Sequence, residues 1–184
     1  MERLSLMDWN AASTIASDQP LQTLERYLPD AAATAFVGAV IAPMLIGGMI
    51  VTLQGDLGVG KTTLVRGILR ARGQQGPIKS PSYGLVEHYP FSSIYFYHLD
   101  FYRFADPSEW ETAGLSDCFR DDAVCLVEWP QHAGSFLPRA DLALLLALAS
   151  DRDGRVLSAR AHSQAGKRCL DAIAAQFGTE SPAS

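Results

Sequence analysis

The chain has 184 residues, of which 48% are apolar and 19% charged, and its formal net charge is −5. This length predicts one domain with a core large enough to need neither disulfides nor a structural metal, and the apolar content excludes a wholly disordered chain. Binding to nucleic acid mainly through charge is not expected, because the chain has only three lysines and an acidic balance. Its three cysteines contain no C-x-x-C pair, so we expect reduced thiols.

The N-terminal third begins with a weakly periodic stretch, residues 1–27, which we interpret as an extension outside the ordered domain. Pro29 and Asp30 then favour a helix that runs to about Ala42. Residues 35–53 carry no charge over 19 positions, but a proline and a glycine pair interrupt them, which favours a helix, a turn and a buried strand over a membrane span. No basic segment followed by an apolar run opens the sequence, so we expect no targeting segment and a cytoplasmic protein.

The remaining predicted elements are short apolar strands and amphipathic helices. The strands are 49–53, 85–89, Ile94–Asp100, Ala123–Glu128, Leu142–Leu148 and Arg155–Ala161. The helices are 62–72, one that starts at Asp106 with a capping box to Glu109, and one over 164–176. Their alternation predicts an α/β fold, a mainly parallel sheet flanked by helices that ends in an antiparallel hairpin, within a single domain at 28–177 and before a polar tail at 178–184.

The strongest motif is at residues 55–62, which match G-x-x-x-x-G-K-[ST] at every fixed position. It follows a predicted strand and precedes a predicted helix, which is the context in which this motif binds phosphate. Backbone N–H groups and the helix N-terminus attract phosphate oxygens, Lys61 neutralises the β- and γ-phosphates, and the Thr62 hydroxyl suits Mg²⁺. The predicted nucleotide-binding residues of this segment are Gly55, Asp56, Leu57, Gly58, Val59, Gly60, Lys61, Thr62 and Thr63.

Two carboxylates, Asp100 and Glu128, close apolar predicted strands. Ligands of open α/β sheets bind at the carboxyl ends of parallel strands, so these acids and Lys61 are the candidate catalytic residues. One acid would hold Mg²⁺ and the other would orient or deprotonate the attacking water, and the residues alone leave open which does which. The single asparagine, Asn10, precedes the phosphate loop, so the guanine-reading N-K-x-D motif is absent and ATP is the expected nucleotide.

Three further segments follow the phosphate loop in order. They are K-S-P-S-Y at 79–83, H-L-D-F-Y-R at 98–103 and L-V-E-W-P at 126–130. With these segments the sequence resembles the TsaE (YjeE) family, bacterial ATPases of the tRNA threonylcarbamoyladenosine pathway, from residue 28 to residue 173.

The resemblance implies a role for several residues. Thr62 and Glu128 correspond to the family's magnesium ligands, and Asp100 to its other essential acid. Residues 79–83 correspond to a switch-like loop that senses the γ-phosphate. The family also places an arginine of the C-terminal hairpin near the nucleotide; Arg155 fits best, and Arg152 is the alternative.

The resemblance also implies a Mg²⁺-dependent ATPase that is weak alone and activated in a complex with TsaB-like and TsaD-like proteins. Its ATP hydrolysis would support repeated threonylcarbamoyl transfer to the adenosine beside the tRNA anticodon, with tRNA touched only through the complex and no membrane involved. Two alternatives remain open: a small-molecule P-loop kinase, disfavoured because no arginine-rich lid follows Glu128, and a nucleotide-dependent binding module that does not hydrolyse. His98 is interpreted as a packed residue, and Arg66 and Arg70 as a solvated helix face.

Overall fold

The computed structural model describes residues 19–81, 84–104, 106 and 109–177. Its strands are β1 (Gln22–Leu28), β2 (Ile50–Gln54), β3 (Val86–Phe91), β4 (Ile94–Asp100), β5 (Ala123–Glu128), β6 (Leu142–Leu148) and β7 (Arg155–Ala161). Its helices are α1 (Ala31–Ile41), α2 (Lys61–Ala71), α3 (Glu109–Thr112) and α4 (Gln164–Phe177), with short 3₁₀ turns between them.

The seven strands form one sheet in the order β1-β7-β6-β2-β5-β4-β3. The four central strands β6, β2, β5 and β4 run parallel to one another. Antiparallel strands flank them, β3 on β4 at one side and the β6–β7 hairpin followed by β1 at the other. The predicted mainly parallel α/β sheet with a C-terminal antiparallel hairpin is confirmed.

The core has two layers because successive residues of a strand point to opposite faces of the sheet. Along β5, Val124 and Leu126 join the cluster beneath α1, α2 and α4. Cys125 and Val127 join a second cluster on the other face, beneath α3. Burial raises the pKa of the Cys125 thiol to about 12, as suits a core residue. This alternation directs Glu128, two residues beyond Leu126, toward the face that α2 covers.

The structure differs from the sequence expectation at the N-terminus, where β1 occupies the last six residues of the stretch assigned to an extension. Residues 22–27 pair in register with β7, from Gln22 opposite Ala161 onward. The strand was missed because Glu25 and Arg26 interrupt its alternation and because it lies at the sheet edge, where polar side chains are tolerated. Residues 1–18 and the predicted tail at 178–184 lie outside the described residues.

The long uncharged stretch folds as predicted, into the end of α1, a 3₁₀ turn that contains Pro43, and most of β2. The Asp30 carboxylate caps α1 by accepting the Ala33 N–H at 2.7 Å, which confirms the predicted helix start. Within the described residues, no helix combines the length and the apolar character needed to cross a bilayer.

Candidate nucleotide-binding site

The phosphate loop connects the end of β2 to the start of α2, and its glycines are required by the backbone. Gly55 has a φ of +129°, and a Cβ added there would lie 2.1 Å from the carbonyl oxygen of Leu146 on β6. Gly60 has a φ of +122° directly before α2 begins. Other residue types rarely adopt such angles, so the loop keeps a compact path under the helix N-terminus.

Lys61 is the first residue of α2, and its ammonium group is held inside the loop. Nζ donates to the carbonyl oxygens of Gly55 at 2.7 Å and Asp56 at 2.9 Å. It also lies 4.1 Å from the centre of the Trp129 ring. Desolvation lowers the pKa of Lys61 below its ordinary 10.5, and the negative charges of Glu128, Asp100 and Asp56 oppose that shift.

Thr62 and Glu128 face each other across the site. The Thr62 hydroxyl donates to Glu128 Oε1 at 2.8 Å, and the same oxygen lies 2.9 Å from His98 Nε2. A hydroxyl and a buried carboxylate are oxygen ligands of the kind that Mg²⁺ takes beside substrate phosphates. In the described part of the chain no three His, Cys, Asp or Glu residues form a metal cluster. The residues present therefore fit a cation shared with phosphate oxygens rather than one caged by protein ligands.

Asp100 lies beside Glu128 because β4 and β5 pair in parallel with these two residues in register. Its Oδ2 accepts the Ser80 hydroxyl at 2.5 Å, and its Oδ1 accepts the Tyr102 N–H at 3.0 Å. Ser80 belongs to the predicted switch-like segment, of which Ser82 and Tyr83 lie outside the described residues. One carboxylate thus links that segment to the strand end.

These groups line a cleft of about 430 Å³. Six of the predicted nucleotide-binding residues form one wall: Leu57, Gly58, Gly60, Lys61, Thr62 and Thr63. Asp100 and Glu128 lie in the same cleft. Gly55 and Asp56 contribute the carbonyls that hold Lys61, whereas the Val59 side chain is buried in the core and does not line the cleft.

The structure distinguishes the two hairpin arginines. Arg155 donates from Nη1 to the Thr34 hydroxyl at 3.0 Å, and its Nε lies 3.8 Å from where a Cβ on Gly60 would be. Arg152 instead places its guanidinium 3.7 Å from the centre of the Tyr27 ring. Arg155 therefore lies next to the phosphate loop, although not among the lining residues of the cleft, and Arg152 does not.

Sequence reasoning missed several residues of the cleft. Arg66, interpreted as part of a solvated face, lines it and donates from Nε to the Ile78 carbonyl at 3.0 Å. Its spacing of four residues from Thr62 places both on one side of α2, a signal that could have found it. Tyr102 and Arg103 also line the cleft, since the chain turns there directly after Asp100.

Trp129 follows Glu128 with a left-handed backbone, φ 57° and ψ 48°. A residue other than glycine pays about 1–3 kcal/mol to hold such a conformation. The turn brings the Trp129 ring against the Lys61 ammonium group. The centres of the Trp129 and Tyr102 rings lie 5.0 Å apart. Trp129 thus forms part of the cleft wall.

A strand, a glycine loop and a helix that begins with a buried lysine, beside two acids at the ends of neighbouring parallel strands, define a P-loop nucleotide-binding protein. The family model described as "Threonylcarbamoyl adenosine biosynthesis protein TsaE" matches residues 28–157. The chain belongs to this family, and the resemblance inferred from its motifs is confirmed.

Individual relatives agree with the family match. A Haemophilus influenzae protein named "tRNA threonylcarbamoyladenosine biosynthesis protein TsaE" is 39% identical over 158 residues, covering 83% of this chain and 99% of that protein. A Bacillus subtilis protein of the same name is 32% identical over 123 residues, covering 67% of this chain and 77% of that one. The crystal structure of Bacillus subtilis YdiB superposes with a TM-score of 0.71 at 25% identity, covering 85% of this chain and 97% of the other.

Proposed function

We propose that this protein is a Mg²⁺-dependent ATPase that supports turnover of the complex forming N6-threonylcarbamoyladenosine beside the tRNA anticodon. The observation that carries the hydrolytic part is the Thr62–Glu128 contact, with Asp100 on the adjacent strand end and Lys61 in the same cleft. Membership of the TsaE family and the names of the relatives support the pathway.

The contacts favour Glu128 as the magnesium ligand and Asp100 as the residue that activates water. Glu128 is the carboxylate that touches Thr62, so this pair would hold Mg²⁺, which when bound supplies positive charge beside the phosphate oxygens. Asp100 is held by Ser80 and by the Tyr102 N–H, and this leaves lone pairs free to accept a proton from an attacking water. Lys61 exchanges its carbonyl partners for β- and γ-phosphate oxygens, while the loop N–H groups bind the remaining charge.

Activation by partners is the second part of the proposal. Leu57 is 71% exposed and Tyr102 is 41% exposed, and both line the cleft. TsaB-like and TsaD-like proteins that cover this apolar rim would exclude water and hold Ser80 in place beside Asp100. A formal charge of −5 favours contact with tRNA through those partners rather than directly. We place the complex in the cytoplasm.

The test compares release of inorganic phosphate from ATP by the isolated chain and by the chain with purified TsaB-like and TsaD-like proteins, each with Mg²⁺ and with EDTA. We expect slow release by the isolated chain and at least about tenfold faster release by the complex, because positioned groups in the closed site stabilise the transition state. With EDTA we expect no release, because EDTA removes the Mg²⁺ that the proposed reaction requires. Equal rates with complex formation confirmed would refute partner activation.

The same assay separates the two alternatives. A small-molecule kinase would transfer the γ-phosphate to an added acceptor metabolite instead of water. A binding module that does not hydrolyse would show nucleotide-dependent assembly with its partners but no phosphate release.

A further inference from the structure

His98 is a buried polar side chain that the proposed mechanism does not use. It lies on β4 two residues before Asp100, with Glu87 and Leu126 opposite it on the neighbouring strands, and it is 0% exposed. Its Nε2 lies 2.9 Å from Glu128 Oε1. A carboxylate can only accept hydrogen bonds, so Nε2 carries the hydrogen and donates it.

Packing alone does not account for a histidine at this position. Among the described residues, the other ring nitrogen, Nδ1, has no hydrogen-bond partner. An unpaired buried nitrogen destabilises a fold relative to an apolar side chain of similar size. Phe96, two residues earlier on the same strand and toward the same face, is apolar and fully buried. Within the described part of the chain, the only polar contact of the His98 side chain is therefore with the Glu128 oxygen that Thr62 also touches.

We propose that His98 is a positioning residue that fixes the Glu128 carboxylate against Thr62, so that both oxygens are arranged for Mg²⁺ before the nucleotide arrives. Two donors from different elements, α2 and β4, meet on one carboxylate oxygen and restrict its rotation. Residues that orient a metal ligand in this way typically contribute about 10- to 100-fold to metal affinity. The inference rests on the proposed magnesium site at Thr62 and Glu128.

The experiment measures binding of the non-hydrolysable ATP analogue AMPPNP by calorimetry, once with Mg²⁺ and once with EDTA. The ratio of the two affinities, called here the magnesium gain, reports on the cation site without requiring turnover. In His98→Leu we expect the magnesium gain to fall at least about tenfold, with affinity in EDTA within about twofold of wild type. In His98→Gln, whose amide nitrogen reaches about as far as Nε2 and still donates, most of the gain should remain.

Two further variants complete the design. Phe96→Leu is the matched control for disturbing the same strand and should leave the magnesium gain unchanged. If thermal unfolding shows that His98→Leu does not fold, His98→Asn replaces it, because its shorter amide cannot reach Glu128 and should lose the gain that His98→Gln keeps.

Each remaining outcome has a definite meaning. A magnesium gain within about twofold of wild type in the Leu or Asn variant would overturn the proposal. The proposal would also be overturned if His98→Gln lost as much of the magnesium gain as His98→Leu or its replacement His98→Asn. The hydrogen bond to Glu128 would then not be the cause of the loss. A wild-type chain with no magnesium gain would instead refute the proposed magnesium site itself.

Discussion

Replacing Lys61 by Met removes the ammonium group and keeps an unbranched side chain of similar length. In the structure Nζ makes two hydrogen bonds to neutral carbonyls, of 2.7 Å and 2.9 Å. Binding a nucleotide exchanges these bonds, in which only the donor is charged, for bonds to phosphate oxygens, in which both partners are charged and which are stronger by about 1–2 kcal/mol each. The net gain is about 1–2 kcal/mol per bond, or about 2–4 kcal/mol for two. The variant should therefore bind ATP roughly 30- to 900-fold more weakly.

Calorimetric titration with AMPPNP and Mg²⁺ measures this loss directly. Lys167→Met is the matched control, because Lys167 lies on α4, pairs with Asp171 at 2.9 Å and does not line the cleft. Its affinity should equal that of the wild type. An affinity of Lys61→Met within about twofold of wild type, less than about 0.5 kcal/mol, would show that Lys61 does not bind the phosphates and would refute the reasoning from the phosphate loop.

Four further predictions follow from the geometry of the site. Asp100→Asn should lower phosphate release by the partner complex at least about 100-fold and keep AMPPNP affinity within about fivefold of wild type. Glu128→Gln should instead lose the magnesium gain in AMPPNP binding. A wild-type rate of phosphate release in the first variant, or a wild-type magnesium gain in the second, would contradict the role assigned to that residue. Gly55→Ala should lower the free energy of unfolding, measured in denaturant, by about 3 kcal/mol or more. The new Cβ would lie 2.1 Å from the Leu146 carbonyl oxygen, and the backbone conformation alone would cost about 1–3 kcal/mol. A loss below about 1 kcal/mol would contradict the loop geometry. Because burial lowers the pKa of Lys61 below 10.5, the unfolded chain binds more protons than the folded chain between the lowered value and 10.5. The free energy of unfolding of wild type, measured relative to that of Lys61→Met, should therefore increase as the pH rises through that window. A difference between the two free energies that does not change with pH would contradict this prediction.

The sequence predicted the parts of the site that depend on local pattern. The ends of β4 at Asp100 and of β5 at Glu128 were predicted to the residue, because a carboxylate closes each apolar run. The phosphate loop was placed between a strand and a helix, as observed for β2 and α2, although α2 begins at Lys61 rather than at Thr62. Residues that belong to one continuous segment, or that close an apolar strand, can be located from their positions in the sequence alone.

What the sequence did not show depends on pairing between distant segments. The contact of His98 with Glu128 exists because β4 and β5 pair in one particular register, and the pattern of β4 indicated only a packed histidine. Strand β1 is ordered by β7, more than 120 residues later in the chain, and its own residues are half polar. The resemblance favoured Arg155 and left Arg152 open, because the way in which the hairpin meets α1 and the phosphate loop also depends on distant segments.

The central claim is that nucleotide turnover at Glu128 lets the modification complex work repeatedly. The most direct test counts threonylcarbamoyladenosine formed per complex, reconstituted from TsaB-like and TsaD-like proteins, tRNA, ATP and Mg²⁺, with this chain as wild type, as Glu128→Gln or as the Lys167→Met control. We predict many rounds with wild type and with the control. With Glu128→Gln we predict about one round, because we expect this variant to assemble while it lacks the carboxylate that contacts Thr62. Sustained rounds with Glu128→Gln at the wild-type rate, with the variant shown to be present in the complex, would contradict the account.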